Sequence, residues 1–253
     1  MKLFTLISCI FILAISSFAG SCPKTITACG CTVSKEGIYN IANDLTASQG
    51  LTKDGNCLDV TDEHVTLFTN GYDIIGNGSG SGIYLSKEAK HTFMEAAGPK
   101  ETYTTVSGWQ YGLESHGNGL LSEGFYFVNN NTGILLDADN DHISMFGSYN
   151  NSERGIYVVS GHGNQLTDGG TWNNHHAGIE LDKCSKDTTI IEVYFYPGVE
   201  TYGILVNNGS TGNRIVDNWP AGTNSVDLFD GNDEGDNLWH SNRFVTANQP
   251  FIQ

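Results

Sequence analysis

A short pattern recurs along this chain at nearly constant spacing: glycine, an aliphatic residue, any residue, then another aliphatic. It stands at Gly82-Ile83-Tyr84-Leu85, Gly112-Leu113, Gly133-Ile134-Leu135-Leu136, Gly155-Ile156-Tyr157-Val158, Gly178-Ile179-Glu180-Leu181 and Gly203-Ile204-Leu205-Val206. Ser225-Val226-Asp227-Leu228 continues it with serine in the glycine place. From Gly112 onward the steps are 21, 22, 23, 25 and 22 residues. A second series, usually an asparagine followed by an aliphatic residue, contains Asn118, Asn140, Asn164, Thr188, Asn213 and Asn237, at steps of 22, 24, 24, 25 and 24. Two independent markers holding one period identify a repeat architecture, in which no unit buries its apolar face alone and neighbours must stack.

Units of this length are too short for a helix pair and suit three short strands joined by turns. Within each motif the apolar positions alternate, so one strand face is buried and the other looks outward. The chain holds 31 Gly and 24 Asn, residues that supply the left-handed backbone at tight corners. Amphipathic helical stretches are scarce. Ser86 to Ala97 is the one helix-like window, and Thr92-Phe93-Met94 within it fits a strand equally well. The 30-residue step from Gly82 to Gly112 marks a coil carrying a loop.

These units resemble the right-handed parallel β-helix, the pectin-lyase-like fold, across about Cys57 to Phe244. Gly37-Ile38-Tyr39-Asn40-Ile41, Val65-Thr66-Leu67-Phe68 and Tyr72-Asp73-Ile74-Ile75-Gly76 resemble the first coils of secreted bacterial members; Trp239 to Phe244 resembles their closing coil. The resemblance implies an all-β solenoid with coils of about 22–25 residues. It assigns no reaction, because the fold hosts lyases, hydrolases, epimerases and adhesins.

Lys2, the apolar run Leu3 to Ala14 and the small residues Ser16, Ser17, Ala19 and Gly20 read as a secretory signal over residues 1–20. A cap with a cysteine cluster is expected over 21–56 and the solenoid over 57–253. The apolar run is too short to span a bilayer, which places the mature protein outside the cytoplasm, extracellular or periplasmic. There Cys22, Cys29, Cys31 and Cys57 read as disulfides rather than zinc ligands, with Cys57 paired to Cys29 or Cys31 and Cys184 unpaired. The formal charge is −16, and removing Lys2 leaves 11 − 28 = −17. Such a surface excludes a basic nucleic-acid binder and repels polyuronates at long range.

Several local motifs invite chemical readings. Gly161-His162-Gly163, with Asp139, Asp141 and Arg214-Ile215, approaches the polygalacturonase pattern. The register differs, since the histidine follows its strand and no Asn-Thr-Asp triplet exists; an exposed histidine in a glycine-rich corner is the simpler reading. Asp230, Asn232, Glu234 and Gly235 match four positions of a calcium loop, but Ser241 stands where a bidentate glutamate is expected. Calcium is therefore the one cofactor the sequence suggests, and only weakly. His175-His176 sit in a corner and point apart. Trp109, Trp172, Trp219 and Trp239 are of a type that stacks on sugars but more often packs in corners.

If residues one and three after each glycine point inward, those two and four after it point out. The inner rows are then Ile134, Ile156, Ile179, Ile204 and Val226, beside Leu136, Val158, Leu181, Val206 and Leu228. The outer rows are Glu114, Leu135, Tyr157, Glu180, Leu205 and Asp227, beside His116, Asp137, Val159, Asp182 and Asn207. The candidate catalytic set on this face is His116, Asp137, Tyr157, Glu180 and Asp182, with His116 and Asp137 expected near contact. Together these features point to a secreted, monomeric β-helix protein engaging extracellular polysaccharide by binding. The alternatives are a lyase, epimerase or glycoside hydrolase using the acidic cluster, and a non-catalytic structural or adhesive protein.

Overall fold

The computed structural model describes residues 20–98, 103–196, 198–220 and 224–253; the expected export signal lies, but for Gly20, outside them. The chain winds as a parallel β-solenoid of about eight turns with three strand faces. Among the described residues the first sheet has nine strands and carries the Gly-aliphatic motifs, in strands such as Tyr111–Ser115, Thr132–Asp137, Arg154–His162, Ala177–Lys186, Tyr202–Val206 and Val226–Asp230. Each coil continues through the second sheet (Leu121–Glu123, His142–Ser144) and turns sharply into the third (Phe125–Val128, Gly147–Tyr149). In Gln165–Trp172 and Thr189–Phe195 one strand runs round this corner and serves both sheets. The corner is left-handed in successive coils, at Gly124, Met145, Asp168, Glu192, Asp217 and Ser241. The helix-like window contributes the strand Phe93–Glu95.

The inner rows are as the alternation requires as far as Val206. Ile134, Ile156, Ile179 and Ile204 are fully buried and in register, as are Leu136, Val158, Leu181 and Val206. The last coil is displaced by two residues. Leu228 pairs with Ile204 and Asp230 with Val206, while Val226 pairs with Tyr202 and is half-buried. Asp227 thus takes the glycine position, not Ser225, and is buried rather than outward.

The physical reason lies in the glycine column. A β-carbon on Gly82, Gly112, Gly133, Gly155, Gly178 or Gly203 would come within 2.5–2.8 Å of the carbonyl oxygen of the corresponding residue in the next coil. That column of carbonyls ends at Asp227, which therefore tolerates a side chain. The closing segment uses it: the Asp227 carboxylate accepts from the backbone N–H groups of Val245 and Thr246 at 2.7 and 3.0 Å.

Corners are held by ladders of buried side-chain amides. Asn130 Oδ1 accepts from Trp109 N, Asn151 Oδ1 from Asn130 N, and Asn174 Oδ1 from Asn151 N, with Glu200 Oε1 closing the series on Asn174 N. A second ladder contains Asp141, Asn164, Asn213 and Asn237, with Thr188 in the same file. Asn118 and Asn140 are not in it: both are exposed, and Asn140 occupies the left-handed turn residue just before Asp141. The repeat is real, but its phase belongs to Asp141 there. Each ladder satisfies backbone donors that a strand-to-strand bend would otherwise leave buried and unpaired.

At the N-terminus Cys22–Cys31 and Cys29–Cys57 are disulfides, and Cys184 is free and exposed. Among the described residues no helix is long and apolar enough to cross a membrane.

Candidate functional site

On the outward face of the first sheet one row runs Tyr84, Glu114, Leu135, Tyr157, Glu180, Leu205 and Phe229, in register from coil to coil. The terminal member is Phe229, because of the two-residue displacement that takes Asp227 inside. The neighbouring row departs from strict alternation. A bulge aligns Asp137 with Ser160 and Ser160 with Cys184, so Val159 is not the neighbour of Asp137 and Asp182 lies within the irregular stretch.

His116 and Asp137 are in contact, Nδ1 to Oδ2 3.1 Å. The other imidazole nitrogen meets Glu114 Oε1 at 3.0 Å, and the ring lies tilted beside that of Tyr84, 5.6 Å between centroids. Glu114 also accepts from Ser81 and Asp137 from Ser160. The Glu114 hydrogen bond raises the His116 pKa above its ordinary value; burial opposes this and Asp137 adds to it. Both imidazole nitrogens thus face a carboxylate oxygen, a setting that favours the protonated ring and leaves neither nitrogen unengaged.

Two coils on, a second network holds the remaining candidates. Arg154 pairs with Glu180, which also accepts from Asn207 at 2.9 Å and has His176 Nε2 at 3.5 Å. The guanidinium also lies over the Tyr157 ring, whose hydroxyl donates to Asp182 Oδ2 at 2.8 Å. Burial and that hydrogen bond push the Tyr157 phenol up to about 12. Leu135 stands in the row between the two networks, so the five sequence candidates fall into two groups, His116 with Asp137 and Tyr157 with Glu180 and Asp182.

The other motifs are structural. Asp230 turns its carboxylate inward to Trp239 Nε1 at 2.7 Å and to Asn232 and Asn237, which is not the outward ligand of a calcium loop. His162 is an exposed corner residue, 3.5 Å from Asp187. Trp109 and Trp239 are buried, each with its indole N–H hydrogen-bonded.

Trp172 and Trp219 are different: they belong to an outward column on the third sheet. Tyr103 stacks on Tyr126 (4.5 Å between centroids, 7° between planes), and Tyr149 on Trp172 (4.1 Å, 8°). Tyr126 meets Tyr149 edge-on, as Trp172 meets Tyr196. Tyr194, beside Tyr196, stacks on Trp219 at 4.5 Å, and Arg243 lies over Trp219. The inward residues of the same strands, Phe125, Phe127 and Phe195, are buried, so strand alternation alone sends these rings out. The column borders an open trough of about 260 Å³ lined by Tyr103, Tyr126, Trp172 and Tyr196, with Asp168 and Gly170.

Sequence reasoning weighed the tryptophans singly and missed this column. The signal was present: Tyr103, Tyr126, Tyr149, Trp172, Tyr196 and Trp219 are separated by 23, 23, 23, 24 and 23 residues.

No protein-family model matches the chain, and no curated protein sequence does. Among solved structures, the alginate lyase from Paenibacillus sp. str. FPU-7 superposes with a TM-score of 0.53 at 14% identity, covering 89% of this chain and 76% of that one. The Dettilon tailspike protein superposes with a TM-score of 0.44 at 11% identity, covering 87% of this chain and 62% of that one. At such identities the likeness is one of fold. By its strand order and by the first of these likenesses, the chain is an all-β parallel solenoid, a β-helix of about eight turns.

Proposed function

We propose that this is a secreted, monomeric β-helix protein that engages extracellular polysaccharide through the aromatic column of its third sheet, and binds the polymer rather than turning it over. The observation that carries the reading is the outward column itself, seven rings from Tyr103 to Trp219 in successive contact along the solenoid. Aromatic rings offer large, stiff apolar faces, and the C–H faces of pyranose rings are their natural complement. Coils repeat at about 4.8 Å, so the column is an extended track suited to a linear polymer. The two disulfides suit an oxidising compartment.

Binding is favoured over turnover by the state of the first-sheet candidates. His116 has both nitrogens engaged, Glu180 is paired with Arg154, and the Tyr157 proton is held by Asp182. A general acid or base must exchange its proton with substrate near the working pH. The test is a polysaccharide array, with and without calcium, followed by reducing-end and unsaturated-product assays on each polymer retained. Retention without product formation is the expected result. Product formation would establish the enzyme alternative, and no retained polymer would remove the binding reading.

A further inference from the structure

The trough beside the column has a shape and a charge of its own. In one outward row of the third sheet the order is Tyr126, Gly147, Gly170, Tyr194 and Trp219. Two successive glycines interrupt the rings, leaving Tyr126 and Tyr194 three strand spacings apart, about 14 Å. The Tyr126 ring leans over Gly147, where a β-carbon would meet it at 2.6 Å. Gly170 is not covered in this way: a β-carbon there makes ordinary contacts, 3.4 Å to Trp172 and to the Tyr194 carbonyl oxygen and 3.5 Å to Tyr196. Its backbone is not left-handed, so a larger residue would be accommodated by the strand while projecting into the trough.

One wall is Trp172, itself stacked on Tyr149, with Tyr196 set edge-on to it. The opposite rim is the left-handed corner, where Met145 and Asp168 are exposed. Asp168 is the one charged side chain among the described residues lining the trough. The next two corners along the solenoid, beyond the trough's own lining, carry Glu192, whose carboxyl shares a hydrogen bond with Asp168 that raises its pKa, and Asp217.

We propose that the trough is a sugar subsite for an uncharged linear polysaccharide lying along the solenoid axis, with one pyranose ring seated over Gly170 against Trp172, and that the Asp168 rim rejects polyuronates. This rests on the binding reading above and adds the ligand class. A neutral sugar meets complementary chemistry on both sides: its C–H face packs on the rings, and its hydroxyls donate to the Asp168 carboxylate. A uronate would bring a like charge to Asp168, with Glu192 and Asp217 on the following corners, on a protein of net charge −16. One of its fold neighbours is named an alginate lyase, and the Asp168 charge sets this chain apart from a polyuronate binder.

The experiment pairs each neutral polymer with its charged counterpart. Mannan, galactan and mixed-linkage β-glucan, each with its C6-oxidised form, and alginate are run in affinity gels against the wild type, Gly170→Val, Trp172→Ala and Asp168→Asn. The expected result is retention by at least one neutral polymer, with affinity at least tenfold weaker for its oxidised form at low salt. Gly170→Val should lose at least tenfold toward the neutral polymer with an unchanged circular dichroism spectrum and melting temperature. Asp168→Asn should narrow the neutral-to-oxidised gap severalfold, as should added salt. Equal affinity for the oxidised form or for alginate, lost on Trp172→Ala, would overturn the proposed ligand class and leave the binding reading standing. Retention indifferent to Gly170→Val and Trp172→Ala would remove the subsite, and no retention of any polymer would remove both.

Discussion

The indole of Trp172 lies parallel to the Tyr149 ring, 4.1 Å between centroids, on strands that are hydrogen-bonded neighbours with these two residues in register. Two residues that are 23 positions apart in sequence are therefore one strand spacing apart in space, and the outer face becomes a continuous aromatic surface. Such pairs contribute about 0.5–1.5 kcal/mol beyond their buried area. Replacing Tyr149 by Ala should cost about 1–2 kcal/mol in urea unfolding. A cost near zero would mean that the stack contributes nothing to the fold.

The glycine column sets a sharper constraint. Gly155→Ala forces a β-carbon to within 2.5 Å of the Gly178 carbonyl oxygen, an encounter with backbone that no rotamer relieves. A loss of about 3 kcal/mol or more is expected, toward the upper end of overpacking costs. Gly170→Ala, which makes only ordinary contacts, should cost less than about 1 kcal/mol. Comparable losses at the two sites, measured by chemical denaturation, would contradict the close-approach argument.

Inside the solenoid, Ile179 is fully buried between Ile156 and Ile204. Ile179→Asp places an unpaired charge in that stack and should cost more than about 4 kcal/mol. Ile179→Val, which removes one methylene, should cost about 1 kcal/mol. A folded Ile179→Asp protein of near wild-type stability would break the inward register.

Two groups give the stability a pH dependence of known sign. Burial pushes the Asp141 carboxyl up to about 7, with hydrogen bonds from Leu120 and Ser115 pulling it partly back. A carboxyl raised in the folded state is fully tolerated at low pH and destabilises progressively as pH rises from about 4 to about 7. Asn already fills this ladder position at Asn164, Asn213 and Asn237. Asp141→Asn should therefore raise stability by about 2 kcal/mol at pH 8 and confer little by pH 4.5. His116 acts in the same direction, because its raised pKa contributes stability below about 6.5 that fades as pH climbs through the folded value. The gap between wild type and His116→Gln should thus narrow between pH 6 and 9. A gap that widens over this range would contradict the setting of His116 between Glu114 and Asp137.

How legible was all this? The glycine spacing led directly to the solenoid, the inner rows and the His116–Asp137 contact, because strand alternation and coil stacking leave few placements for a residue once the period is known. Two local events escaped it. The bulge after Leu136 shifts Ser160 into the place expected for Val159, and nothing in the pattern announces an extra residue. The last coil slips by two because Asp227 is accepted where no further carbonyl column stands, and a serine in glycine-like context hid this. The aromatic column was regular in the sequence. It was missed because tryptophans were judged by type and not by phase. Coil lengths in register vary between 21 and 25 residues, so the evenly spaced rings zigzag over two adjacent outward rows.

The most direct measurement is a calorimetric titration of oligosaccharides from a polymer retained on the array into the wild type, Trp172→Ala and His116→Gln. Trp172→Ala should weaken binding about tenfold, equivalent to about 1.4 kcal/mol, with its melting temperature within a few degrees of wild type. His116→Gln, on the first sheet, should bind as the wild type does. Undiminished binding by Trp172→Ala, or loss confined to His116→Gln, would contradict the account and move the site to the polar strand face.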